Sequence, residues 1–234
     1  MKRFYKDVTT APDGDTWRVL LDGRAIRTPQ GLPQGVPTAA LAEAMAAEWR
    51  AQGEEVDPAS LKLRDMADYA IDIAGADRAA LVSELVAYGE TDTLCYRADP
   101  DEPLYRRQLE VWEPLLCAFE ARENVRLERI SGVLHRAQPP ATLAHLRARL
   151  QAMDPFVLAA VNAMASLSAS LSIALSALEP DADLDQLWQA ASLEELWQAE
   201  LWGREEMAEE RRARRSADFS AAAGFARLAR LHAA

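Results

Sequence analysis

The sequence predicts an α+β fold, a small N-terminal β-rich α+β domain followed by a larger C-terminal α-helical bundle. Three observations carry that prediction. Up to about residue 36 the apolar residues alternate with a period of two, whereas from Thr38 they recur with the 3.6-residue period of helices. Of the 234 residues, 50% are apolar and 27% charged, enough to bury a sizeable core. No internal repeat or low-complexity linker divides the chain. The expected division is residues 1–60 for the β-rich domain and 61–234 for the helical one.

Taken in order, Arg3–Thr9 and Thr16–Leu21 read as strands, with Trp17, Val19 and Leu21 on one face. Pro12-Asp13-Gly14-Asp15 supplies a turn between them. Asp22-Gly23 has the chemistry of a tight hairpin, whose two central residues need positive φ, and Arg24–Thr28 is the returning strand. Pro29, Gly31, Pro33, Gly35 and Pro37 mark an irregular connection. Thr38 is placed to cap a helix carrying Leu41, Met45 and Trp49 on one stripe, stopped by Gly53. That helix is expected to pack on the sheet, because a lone three-strand ribbon is marginal.

Val56–Leu61 reads as extended, and Leu63, Met66, Ala67, Ala70 and Ile71 restore a helical stripe. Asp77 can cap the next helix, with Leu81, Leu85 and Tyr88. Another runs from about Leu104 to Arg122, its seam formed by Leu104, Gln108, Val111, Trp112, Leu115 and Phe119. Val125–Ile130 is strand or loop. Pro139-Pro140 opens a helix with Leu143, Leu146 and Leu150. Asp154-Pro155, a cap followed by proline, starts a further helix. From Pro155 to Leu178 no residue is charged, a length able to span a bilayer. Its serine rows, its acidic flanks Asp154 and Glu179, and the lack of Trp or Tyr at either end favour a buried helix instead. Two helical stretches, or one long helix, then cover about Asp183 to Arg215, and a short last helix holds Phe219, Ala223, Ala226 and Leu228.

The formal net charge of −11 disfavours nucleic acid and anionic membranes, which repel a net-negative protein at long range. Two cysteines, Cys95 and Cys117, make no disulfide scaffold, and the N-terminus lacks an apolar signal segment, so a reduced, cytoplasmic setting is expected. Both thiols sit among apolar neighbours and read as core residues. His135, His145 and His232 share no metal-ligand spacing, so no metal site and no cofactor is expected. Phosphate loops, dinucleotide fingerprints, nucleophile elbows and zinc-protease motifs are all missing. Adjacent acids such as Glu194-Glu195 point about 100° apart on a helix and do not converge. Glu210–Arg214 has ion-pair spacing on a solvated face. No catalytic residue is assigned.

Trp188, Trp197 and Trp202 crowd together beside Leu184, Leu187, Leu193, Leu196 and Leu201. At 100° per residue, Leu193, Leu196, Trp197 and Glu200 share a stripe while Trp202 lies nearly opposite Trp197. Either this helix is buried on two sides, or it exposes an aromatic patch of the kind that binds protein. Gly203, inside that helical stretch, costs about 1 kcal/mol against alanine, and close approach of another backbone would account for it.

Runs along the whole chain have a familiar order: Lys2-Arg3-Phe4-Tyr5-Lys6, Leu21-Asp22-Gly23-Arg24, Arg27-Thr28-Pro29, Ala47-Glu48-Trp49, Tyr88-Gly89-Glu90-Thr91-Asp92-Thr93-Leu94-Cys95-Tyr96-Arg97-Ala98, Trp112-Glu113-Pro114, Leu193-Glu194-Glu195 and Gln198-Ala199-Glu200-Leu201-Trp202-Gly203. They resemble the proteobacterial and mitochondrial chaperones that bind the α subunit during assembly of the F-type ATP synthase catalytic head. Glu113 stands where that pattern expects aspartate. The resemblance implies a holdase without ATP hydrolysis, cytoplasmic in bacteria and in the mitochondrial matrix for eukaryotic relatives, masking an α-subunit surface until the β subunit takes its place. It implies client binding through Glu195, Gln198, Glu200, Trp202 and Gly203, with Glu195 or Glu200 accepting hydrogen bonds or an arginine. A capping box, Ser192-Leu193-Glu194-Glu195, is the plainer role for Glu195. The competing reading is an enzyme with a carboxylate-lined interdomain cleft, resting on the acidic excess and on Asp92 near Cys95.

Overall fold

The computed structural model describes residues 1–132 and 136–231. Its contacts form two compact units that do not follow chain order. One holds Met1–Arg78, Met153–Ala160 and the chain from Ala221 onward; the other holds Ala79–Ala152 and Val161–Ser220.

The first unit is built on an antiparallel sheet in the order β1 (Val8–Asp13), β2 (Thr16–Leu21), β3 (Arg24–Ala25). Val8 pairs with Leu21 and Asp13 with Thr16, so the turn is only Gly14-Asp15. Pro12 and Asp13, expected in the turn, continue the strand, which a proline tolerates because β1 is an edge. The first strand also starts later than expected. Arg3 donates its N–H to Glu54 O and Val56 to Met1 O, which diverts the first residues to the segment after the first helix. Asp22 (φ 49°) and Gly23 (φ 77°) form the expected hairpin. Asp22 Oδ1 accepts from the N–H of Asp7 and Lys6 at 2.8 and 3.0 Å, which holds its carboxyl below the usual range. β3 is shorter than expected, and Arg27 forms an isolated bridge to Pro33.

Helix α1 (Ala39–Arg50) starts where Thr38 Oγ1 accepts from Leu41 N, and buries Leu41, Met45 and Trp49. It ends before Gly53, and Pro58–Ser60 forms a 3-10 turn inside the segment expected to be extended. α2 (Lys62–Tyr69) has no cap of its own. Glu48 on α1 supplies one, accepting from Leu63 N and Arg64 N at 2.8 and 3.1 Å. A single π turn, Ala70–Ala74, follows. The later segments complete this unit: Thr38 Oγ1 donates to Leu228 O at 2.8 Å, and Phe156 stacks on Phe225 at 6.2 Å.

The second unit contains α3 (Arg78–Glu90) from Ala79 onward, α4 (Pro103–Glu123), α5 (Pro140–Gln151), most of α6 (Pro155–Ser168), α7 (Leu171–Ser176), α8 (Leu184–Ala191) and α9 (Leu193–Trp202). The first part of α10 (Glu206–Arg230) also belongs to it. β4 (Tyr96–Arg97) pairs in parallel with β5 (Ile130–Ser131). Trp112, Leu116 and Phe119 of α4 are fully buried. Trp112 Nε1 donates to Ala190 O at 2.8 Å, fixing α8 on α4. Gly89 lets α7 come close, since a Cβ there would lie 3.1 Å from Leu171.

The uncharged stretch is two helices rather than the single one expected. Ala169 (φ 50°) breaks it, and Ser170 caps α7 through Ile173 N. The break is held from outside. Thr93 donates its N–H and hydroxyl to Ala169 O at 3.1 and 2.8 Å, while Asp92 accepts from Ser170 Oγ and Ser172 N. Among the described residues no helix is long and apolar enough to cross a membrane. At the other end, the expected short last helix is fused with the preceding basic run into α10.

Candidate functional site

Helices α8, α9 and α10 form the surface on which the sequence concentrates its tryptophans. α8 and α9 meet at Ser192, whose φ and ψ of −96° and 9° belong to neither helix, and Ser192 makes no side-chain cap bond. The expected capping box is therefore absent. Glu194 accepts from Gln108 Nε2 at 2.8 Å, which ties α9 to α4. Glu195 lies 3.9 Å from Arg215 of α10. Arg215 also donates to Leu167 O at 2.6 Å and covers the Trp188 ring at 5.4 Å, so one guanidinium joins α6, α8, α9 and α10.

The faces of α9 follow from its period. Leu193, Leu196, Trp197 and Glu200 turn toward α4, where with Arg107, Val111 and Gln189 they line a shallow groove. Glu195, Gln198 and Trp202, at i, i+3 and i+7, share the opposite side. The structure thus brings Glu195, Gln198 and Trp202 together and sends Glu200 to the groove.

The three tryptophans divide sharply. Trp188 is buried and packs on Phe219 at 5.6 Å between centroids. Trp197 is half-buried. Trp202 is 79% exposed, Leu201 58% and Met207 72%, an apolar cluster that this unit's own core does not cover. Gly203 stands at the end of α9, not within a helix. Its φ of 97° and ψ of 159° suit glycine alone, and its N–H closes the helix on Ala199 O at 3.0 Å. Among the described residues, its two chain neighbours aside, no atom lies within 4 Å of where its Cβ would be, so backbone geometry rather than close packing calls for glycine.

The residues behind the enzymatic reading are engaged structurally. Asp92 is buried, accepting from Leu94 N at 3.1 Å, Ser170 Oγ at 2.7 Å and Ser172 N at 2.8 Å. Burial raises its carboxyl pKa against those bonds. Cys95 is fully buried, and burial together with the Asp92 charge pushes its thiol pKa up. Cys117 is exposed, contrary to the expected core position, with Sγ donating to Glu113 Oε1 at 3.4 Å. His145 lies 3.9 Å from Glu123; His135 and His232 lie outside the described residues. Among the described residues no cluster of three or more His, Cys, Asp or Glu is arranged to hold a metal ion.

Sequence reasoning missed an ion network centred on α4. Glu113 bonds Arg97 at 2.5 Å and Arg129 at 2.9 Å. Buried Glu120 also pairs with Arg129 and accepts from Leu127 N at 2.7 Å, and buried Glu123 pairs with Arg149. Burial pushes Glu113 upward, but its two arginines outweigh that and bring it down to about 2. The network pins the segment around β5 to α4. No helical-spacing signal marks it, because Arg97 and Arg129 each stand 16 residues from Glu113.

A family model described as ATP12 chaperone protein matches residues 2–120. The crystal structure of Atp12 from Paracoccus denitrificans is 37% identical, covers 98% of each chain and superposes with a TM-score of 0.92. The Atu1473 protein of Agrobacterium tumefaciens, a candidate chaperone, is 38% identical over 97% of this chain and 85% of its own, also at 0.92. The mitochondrial protein atp12 of Schizosaccharomyces pombe is 27% identical over 221 residues, 89% of this chain and 76% of that protein.

Proposed function

The chain belongs to the ATP12 chaperone family, and on that premise we propose that it assists assembly of the F-type ATP synthase by holding the free α subunit. It covers the α-subunit surface destined for the β subunit until the β subunit displaces it. The observation that carries this reading is Trp202, 79% exposed beside Leu201 and Met207 at the end of α9. An apolar cluster of this kind on a member of a chaperone family is surface kept for another polypeptide.

In this proposal Trp202 supplies the apolar anchor, and Gln198 beside it offers polar contacts. Gly203 turns the chain so that Trp202 ends the helix facing outward. Glu195 acts through its pairing with Arg215, and Glu200 contributes from the groove side. The work is done by binding energy alone, with no bond made or broken. The setting is the compartment where the catalytic head is assembled, the cytoplasm in bacteria or the matrix in mitochondria.

The test mixes the purified protein at micromolar concentration with isolated α subunit, and separately with isolated β subunit. A complex with α alone, and suppression of α-subunit light scattering without added nucleotide, is the expected outcome. Trp202→Ala should weaken the complex while leaving the fold intact. Absence of any complex between wild-type protein and α subunit would overturn the reading.

A further inference from the structure

The exposed cluster sits in an uneven electrostatic setting. Between Glu194 and Glu210 the charged residues are Glu194, Glu195, Glu200, Arg204, Glu205, Glu206, Glu209 and Glu210, of which Arg204 alone is basic. Several of these carboxylates are already occupied. Glu194 accepts from Gln108, Glu195 faces Arg215 at 3.9 Å, Glu209 binds Arg212 at 2.5 Å with Arg204 at 3.9 Å, and Glu210 faces Arg214 at 3.7 Å. Glu200, Glu205 and Glu206 are exposed, and among the described residues no cation comes within ion-pair distance of them. In sequence Glu200 precedes Leu201-Trp202-Gly203, from the groove side of α9, and Glu205-Glu206 directly precedes Met207.

Unpaired carboxylates beside an apolar cluster select by charge. A guanidinium or ammonium brought down with an apolar segment would pair as the cluster excludes water, where the attraction is stronger than in bulk solvent. A segment bearing acids would be repelled, and so would a phosphate-rich surface. Resting on the client-binding reading above, we propose that the corner between α9 and α10 recognises a polypeptide segment whose apolar side chains are flanked by arginine or lysine. Leu201, Trp202 and Met207 hold the apolar part; Glu205 and Glu206 choose the sign, with Glu200 adding to the field from the groove side of α9. This moves the carboxylates available to the client away from Glu195, which is engaged with Arg215.

The test measures association and dissociation rates with isolated α subunit as the probe. E200Q/E205Q/E206Q removes the unpaired charges, and D15N/E54Q/E55Q removes the same number from exposed positions of the other unit. Melting temperatures confirm that both variants fold. The site variant should associate about tenfold more slowly at low salt, and the control less than about threefold. Raising ionic strength from roughly 0.05 to 0.5 M should slow the wild type strongly and the site variant little. W202A should act mainly on dissociation. Equal effects of the two triple variants, or a wild-type rate indifferent to salt, would overturn this inference while leaving the client reading standing. Failure of the wild type to bind α subunit at all would remove both. Co-sedimentation of the wild type with vesicles of anionic phospholipid would also refute the assigned charge preference.

Discussion

Replacing Asp92 by alanine should unlatch the break between α6 and α7. In the native protein its carboxylate satisfies Leu94 N, Ser170 Oγ and Ser172 N, all in a buried setting. Alanine leaves two backbone N–H groups and a hydroxyl without their acceptor. At about 1–1.5 kcal/mol for each lost bond, less some relief from no longer burying a charge, the expected loss is about 3–4 kcal/mol. For a chain of this size that lowers the melting temperature by roughly 6–16 °C. Ser170→Ala removes the hydroxyl that caps α7 and donates to Asp92, and should cost about 1–2 kcal/mol. Because the two share a bond, the double variant should fall short of additivity by at least about 0.5 kcal/mol. Thermal and urea unfolding of the four proteins would measure the cycle. Additive losses, or a D92A loss below about 1 kcal/mol, would refute the claim that Asp92 acts as a structural latch.

Three further outcomes are expected. Gly203→Ala puts a Cβ where φ is 97° and should weaken α-subunit binding, with a stability loss of about 1–3 kcal/mol read by calorimetry. Glu113 is held at about 2, below its unfolded value near 4.3, so its contribution is complete above that unfolded value and disappears as pH falls toward 2. Glu113→Gln should therefore flatten the fall of melting temperature with acidification in that interval, which thermal scans at stepped pH would show. An aromatic disulfide reagent should modify Cys117 in the native protein and reach Cys95 only after denaturation.

What could be read from the sequence was local. Thr38 announced α1 and Asp22-Gly23 the hairpin because the residues that set those geometries are neighbours in the chain. The break at Ala169 was hidden for the opposite reason. Ser168-Ala169-Ser170-Leu171 contains neither glycine nor proline, and the positive φ is enforced by Thr93 and Asp92 from far along the chain. The ion network of Glu113, Glu120, Arg97 and Arg129 joins residues 9 to 16 apart, beyond the i, i+4 spacing that a helix pattern reveals. At the candidate site, helical spacing correctly set Trp202 opposite Trp197. It did not reveal that Trp188 would be covered by Phe219, or that Glu195 would be taken up by Arg215. Gly203 was conspicuous, yet its reason is backbone torsion at a helix end rather than crowding.

The first unit closes with Phe225 stacked on Phe156 and with Leu228 O bound to Thr38 Oγ1. During synthesis, then, the earliest residues to leave the ribosome must wait for the latest. At roughly 5–20 residues per second, the interval from Arg78 to Ala221 takes roughly 7–30 s. Throughout that interval Thr38 lacks its final partner, and Phe156 lacks its own from the moment it is made. Premature chain termination before α10 would leave the start of α1 and Phe156 without these partners, and such nascent fragments should be removed by proteolysis.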